Sequence, residues 1–229
     1  MFYIGIDLGT SAVKLLLMDE NGMVLRTVQK EYPLSFPKTG WSEQNPEDWW
    51  TQTRIGIRDL MEGFDSTQVD GLSFSGQMHG LVLLDERDQV IRPAILWNDG
   101  RTAEETEWLN SEIGEERLAD LTGNIAFAGF TAPKLLWVRK HEPENFRRIR
   151  RIMLPKDYLA YRMTGVHSTD YSDAAGMLLL DTAHKCWSAE MLYICGVTKE
   201  QMPRLFESWQ VIGTLTGRVA QDLGLPPHV

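Results

Sequence analysis

The opening residues constrain the fold most. Phe2–Asp7, Ala12–Met18 and Met23–Lys30 are three strand-length segments rich in Ile, Leu and Val, and they are joined by very short polar links. The second link, "DENG" (Asp19–Gly22), is turn chemistry. Links this short permit only antiparallel neighbours, because a parallel pair needs a crossover of a dozen or more residues. The chain therefore begins as a three-stranded antiparallel meander. The first strand ends in an acid, Asp7, and a Gly-Thr-Ser turn follows it.

After the loop "YPLSFPKTGWSEQN", Asn45 is placed to cap a helix, with Pro46 at its first position and Glu47 and Asp48 in its first turn. Trp49, Thr53, Ile57, Leu60, Met61 and Phe64 recur at helical spacing, and the helix should stop near Gly63. Val69–Ser75 then reads as a strand. "LVLLD" (Leu81–Asp85) and "QVIRPAILW" (Gln89–Trp97) read as further strands. Thr102–Asn110, Glu115–Leu121, Lys134–Lys140, Pro155–Met163, Trp187–Cys195 and Leu215–Leu223 read as helices, and Thr169–Asp181 as a return to strand.

Composition narrows the function classes. The 229 residues are 43% hydrophobic with a net charge of −9, which disfavours nucleic acid or an anionic membrane as the main partner. Cys186 and Cys195 have neither zinc spacing nor the density of a disulfide framework, and both read as buried thiols in a reducing compartment. No apolar run approaches the ~20 residues needed to span a bilayer. The apolar run at the start is broken by Asp7 and has no basic segment before it, so it does not read as a signal peptide. A cytoplasmic protein is the expectation. "RRIRR" (Arg147–Arg151) is the one basic cluster and reads as a solvated helix end.

The tip "DLGTS" admits two readings. A P-loop is excluded, because the Gly-Lys-Ser/Thr ending is absent and a strand, not a helix, follows. A hairpin with backbone N–H groups facing an anion remains. In that reading Gly9 allows close approach and an unusual φ, Thr10 and Ser11 add hydroxyls, Lys14 adds charge, and Asp7 anchors a magnesium ion beside phosphates. The other reading is an ordinary polar turn.

"GIDLGTS" from Gly5, with strands on both sides, resembles the first phosphate motif of the sugar kinase, Hsp70 and actin superfamily. "WSEQNPEDWW" (Trp41–Trp50), "GQMHG" (Gly76–Gly80), "PAILWNDGR" (Pro93–Arg101), "GFTAPKLLWV" (Gly129–Val138), "LPKDYLAYRMTG" (Leu154–Gly165) and "TDYSDAAGM" (Thr169–Met177) are similar, in order, to the FGGY carbohydrate kinases, which include glycerol, gluconate and xylulose kinases. The similarity is greatest to the members acting on xylulose.

The resemblance implies an α/β, ribonuclease-H-like domain whose mixed sheet is flanked by helices. It implies ATP and Mg²⁺ as cofactors and D-xylulose as the sugar. Met78 and His79 would touch the sugar, and the Gln77–His79 turn favours a ketopentose. Trp97 and Asn98, at the next strand end, supply the aromatic face and directed hydrogen bonds with which proteins hold sugars; Asp99 and Arg101 there also suit a helix cap. Asp170 and Asp173 read as turn and cap residues. The family's general base, an aspartate in a Gly-Asp-Asn motif, has no counterpart here. Residues 1–229 are therefore expected to be the N-terminal, sugar-binding part of a kinase, with the base and an ATP-binding domain beyond Val229. An exposed docking face would favour homodimers. A kinase of another sugar or polyol, and a non-catalytic sugar- or nucleotide-binding module, remain alternatives.

Overall fold

Alternating burial shows how the meander is used. The computed structural model describes residues 1–229. Strands β1 (Phe2–Leu8), β2 (Ala12–Asp19) and β3 (Val24–Glu31) pair antiparallel. Ile4, Ile6 and Leu8 point to one face with Val13, Leu15 and Leu17, all buried. The opposite face carries Asp7 opposite Lys14.

A short strand β4 (Glu43–Gln44) precedes helix α1 (Pro46–Met61). The Asn45 side chain accepts from Glu47 N, Pro46 is the first helical residue, and Gly63 just beyond the end has φ +80°. Trp49, Ile57 and Leu60 are fully buried against the sheet. Strand β5 (Val69–Gly76) then returns parallel to β1, giving the order β3-β2-β1-β5 and placing Ser75 beside Asp7.

The next strands, β6 (Val82–Leu84) and β7 (Ala94–Ile95), are shorter than the sequence predicts. Asp85 Oδ1 accepts from the Arg87 and Gln89 amides and Asp88 takes φ +57°, so the chain bends there, and Pro93 has no N–H to extend a ladder. Helices α2 (Ala103–Trp108) and α3 (Glu115–Thr122) are joined by a π-helical turn, Leu109–Gly114, instead of a loop. Helix α4 (Thr131–His141) begins before Lys134, and a short α5 (Pro143–Arg147) follows. The basic cluster then enters strand β8 (Arg151–Met153), where Arg148 pairs with Asp85 and Arg151 with Asp88 while Ile149 is buried. The run is thus in its first half the solvated end of α5, with Arg147 and Arg148 exposed, and in its second half a strand entrance neutralised by Asp85 and Asp88.

Helix α6 (Pro155–Thr164) leads to strand β9 (Ser168–Asp170). Thr169–Asp181 is not one strand. Asp170 accepts from Asp173 N and starts helix α7 (Tyr171–Ala175), and only β10 (Leu180–Asp181) returns to strand, paired with β11 (Cys186–Trp187). Helix α8 (Ala189–Cys195) starts at a Ser188 cap, later than Trp187. Cys195 is buried, but Cys186 is exposed, because it sits on a two-stranded hairpin with nothing above it. Strand β12 (Arg204–Phe206) pairs with β9, and α9 (Gly217–Leu223), capped by Thr216, closes the chain. No helix is long and apolar enough to cross a membrane.

Two apolar cores result, and β6, β7 and β8 lie between them. Val82, Leu84, Ala94, Leu96 and Met153 face the core under the first sheet. Leu81, Leu83, Ile95, Ile152 and Leu154 face the core around α4 and α8. The unbroken run "LVLL" follows, since both faces of this layer are dry.

His167 gives the fold a pH dependence. Its Nε2 bonds Ile152 O at 3.0 Å, and burial pushes its pKa down to about 4 against that bond. Between pH 6.5 and 4 the unfolded chain binds a proton there that the native state refuses, so stability falls as pH falls through that window. We predict a loss of up to about 3 kcal/mol from this group, measured as urea midpoints at pH 7 and pH 4.5. His167→Gln should flatten that part of the curve.

Candidate functional site

The site forms where the β1–β2 hairpin, the C-terminal end of β5 and the end of β7 converge. At the hairpin tip the carbonyls are tied back. Gly9 O accepts from Tyr32 Oη and from Gln77 Nε2 (3.4 Å), Thr10 O from Gln44 Nε2 (2.7 Å), and Ser11 O from Tyr32 N (3.2 Å). The amides of Thr10 and Ser11 have no acceptor in the protein. Two free N–H groups in succession, with their carbonyls turned away, suit an anion. Gly9 departs from expectation in two ways. Its N–H is used by Ala12 O at 3.0 Å, and it does not take positive φ. It is small because a Cβ there would meet Ala12 O at 3.0 Å.

Asp7 and Lys14 are exposed cross-strand neighbours. Antiparallel register brings them side by side, yet neither is among the ion pairs of the chain. Asp7 therefore keeps its carboxylate free. No trio of metal-ligating side chains exists, and a lone carboxylate fits an ion of the Mg²⁺ type, which takes one or two protein carboxylates and completes its shell with water and substrate phosphate.

The Gln77–His79 turn abuts this tip. Gln77 N donates to Leu8 O at 2.7 Å, and its buried amide also donates to Gln44 Oε1 at 3.2 Å, leaving its own Oε1 without a partner. Gln77 thus joins turn to hairpin. Met78 is exposed and His79 half-buried. His79 takes φ +66°, and its Nδ1 bonds Gly176 O at 3.0 Å. A carbonyl can only accept, so Nδ1 carries the proton and Nε2 is left as an acceptor with no protein partner. Burial first, and the charge of Lys134 second, hold its pKa below the ordinary histidine value, against Gly176 O and Asp173.

Trp97 Nε1 donates to Thr10 Oγ1 at 3.0 Å, so the aromatic residue bridges to the β1–β2 hairpin. Trp97 and Asn98 are both exposed. Asp99 instead faces inward. It accepts from Ser42 N at 2.6 Å and from the Arg101 side chain, which stacks 3.7 Å over Trp41. Asp99 and Arg101 are therefore scaffold.

Three contributors were not assigned to the site from sequence. Gln44 holds the hairpin, and its Oε1 also accepts from Trp49 Nε1 at 3.0 Å. Phe130 lies 4.8 Å from the His79 ring, with Phe127 packed on it at 5.4 Å and half exposed. Lys156 bonds Asp157 (2.7 Å), Asp170 (2.8 Å) and Asp173 (3.2 Å), fixing the helix that presents Gly176. Burial alone would lower Lys156; the three carboxylates outweigh it and hold the ammonium above the ordinary lysine range. Each residue lies in a quoted motif, but its partner is far away in sequence. Asp170 does act as the expected cap, while Asp173 adds an ion pair. A cavity of about 770 Å³ lined by Asp88, Arg92 and Arg162 lies elsewhere and includes no hairpin residue.

This architecture is that of the sugar kinases with the actin, Hsp70 and ribonuclease-H-like fold. The chain matches the N-terminal domain of the FGGY family of carbohydrate kinases over residues 2–229, and it belongs to that family. It is 48% identical over 223 residues to the xylulose kinase of Escherichia coli (strain K12), covering 97% of this chain and 46% of the relative. It is 48% identical over 226 residues to that of Bacillus subtilis (strain 168), covering 98% and 45%. The crystal structure of xylulose kinase from Rhodospirillum rubrum superposes with a TM-score of 0.95 at 28% identity, covering 100% of this chain and 47% of that one. The chain spans about half the length of the curated relatives it matches.

Gly176 tests the geometry. A Cβ there would overlap the His79 ring, coming within 2.5 Å of Nδ1. Gly176→Ala should expel the ring and lower stability by about 1–3 kcal/mol, read as a lower thermal midpoint with a changed His79 NMR signal. An unchanged His79 environment would refute the packing described.

Proposed function

We propose that residues 1–229 are the sugar-binding domain of an ATP-dependent kinase that phosphorylates D-xylulose at its terminal hydroxyl. The observation that carries this reading is the junction of two half-sites. Free hairpin amides beside an unpaired Asp7 adjoin a turn that offers His79 Nε2 and the aromatic rings of Trp97 and Phe127. The relatives' names support the choice of sugar.

In this reading the Thr10 and Ser11 amides hold phosphate oxygens and Lys14 adds positive charge. Asp7 would hold Mg²⁺, which neutralises phosphate charge when bound. His79 Nε2 accepts from a sugar hydroxyl, Asn98 offers its amide, and Met78 and Trp97 cover the carbon face. Such transfer depends on positioning and charge neutralisation more than on covalent chemistry. The general base and the ATP-binding domain belong to the part of the protein after Val229, where the family carries a Gly-Asp-Asn motif. A cytoplasmic location fits a reaction that uses ATP.

Asp7→Ala in the full-length gene product should lower kcat by about 10²–10³ and leave D-xylulose binding near normal, as measured by coupled ADP release and by sugar titration. Turnover within a few-fold of wild type would remove the role given to Asp7. Residues 1–229 alone should form no xylulose 5-phosphate, since the loss of a general base costs about 10²–10⁴ and compounds with the loss of the ATP site. Product formation by the purified chain would place the base within these residues.

A further inference from the structure

The His79 turn is held from behind by a buried cation. Lys134, in α4, has no exposed surface. Its Nζ donates to His79 O (3.0 Å), to Phe130 O (3.2 Å) and to Gly129 O. No carboxylate pairs with it. An ammonium has three N–H groups and no acceptor capacity, so these three carbonyls use all of it. Thr131 Oγ1 adds a fourth donor to the site, again onto His79 O, at 3.2 Å.

A buried charge without a counter-charge is costly, and a leucine or methionine would fill the same space without that cost. Burial pushes Lys134 down to about 7, Asp99 opposes this, and Arg101 adds to it. What the lysine supplies and an apolar residue cannot is directed bonding. All three acceptors lie in the loops that shape the sugar half-site, and one is the carbonyl of His79 itself. His79 carries a side chain at φ +66°, a conformation uncommon outside glycine. Its carbonyl is pinned by Lys134 and Thr131 and its ring by Gly176 O, so the carbonyl oxygen and Nδ1 are anchored while Nε2 stays free.

We propose that Lys134 is a positioning residue of the sugar site, holding the His79 turn in the left-handed conformation that presents Nε2 to a substrate hydroxyl. This rests on the reading of Met78 and His79 as sugar contacts. Lys134 touches neither substrate nor phosphate. It acts through His79, whose charged surroundings are Lys134 on one side and Asp173 on the other.

The test compares Lys134→Met, Lys134→Arg and His79→Ala in the full-length gene product, with D-xylulose and ATP varied separately. Long-range proton–nitrogen NMR of labelled histidine reports the His79 tautomer in the same proteins. Lys134→Met should raise the KM for D-xylulose about tenfold or more and leave kcat and the ATP KM within about threefold. It should also convert the fixed Nδ1–H signature to an averaged one. Lys134→Arg, which keeps a cation and its donors, should recover part of both. If Lys134→Met does not fold, Thr131→Val decides, because it removes one bond to the same carbonyl; a smaller shift of KM and tautomer in the same direction is expected. If His79→Ala raises the sugar KM while these variants move neither KM nor tautomer, Lys134 merely fills space and the proposal falls. If His79→Ala itself leaves the sugar KM unchanged, the sugar-site reading fails and the proposal fails with it.

Discussion

Everything at the functional end depends on how the carbonyls of one hairpin tip are restrained. A three-residue turn left alone would present its carbonyls and amides to water indifferently. Here Gln44, Gln77 and Tyr32 take the carbonyls of Gly9, Thr10 and Ser11. The tip is thereby polarised, with acceptors inward and donors outward. Gln44 is the hub, because it also receives Trp49 Nε1 from the first helix and Gln77 Nε2 from the turn after β5. Loss of that amide would leave the buried donor of Trp49 unpaired and slacken the hairpin together, so its effect would exceed that of a single hydrogen bond.

Two buried lysines organise the adjoining turn by opposite means. Lys156 gathers the carboxylates of Asp157, Asp170 and Asp173, an ionic solution that anchors a short helix. Lys134 gathers only carbonyls, a dipolar solution that anchors loops. His79 lies between them, touching Gly176 from the first group and the cation of the second. Burial first and Lys134 second hold its pKa below the ordinary histidine value, and the bond to Gly176 O leaves Nε2 as the acceptor.

The meander, the first helix and its caps were legible because each is decided locally, by strand alternation, by Asn45 and Pro46, and by Gly63. The paired position of Asp7 and Lys14 follows from the same register. Thr169–Asp181 differs from expectation because the buried run Met177–Leu179 is apolar without being a strand, while Asp170 diverts the chain into a helical turn. Cys186 was misplaced because its exposure depends on a two-stranded hairpin whose partner lies across a turn. The roles of Gln44, Phe130 and Lys134 are set by contacts across tens of residues, and that of Lys156 by carboxylates in the next strand and helix. A single sequence carries no periodic trace of these contacts. Trp97, by contrast, could be flagged by type and position, but its bond to Thr10 could not.

The layer formed by β6, β7 and β8 has a mechanical meaning. Alternate residues of the same short strands are plugged into different cores, so neither core can loosen without exposing one face of that layer. The hydrogen bonds that pair Val82–Leu84 with Arg151–Met153 are shielded from solvent on both sides. Their amides would exchange with deuterium only when the domain opens as a whole, at the slow end of the range set by global unfolding. The hairpin tip and the His79 turn, each one element removed from that layer, are thus mounted on a layer that is buried on both faces.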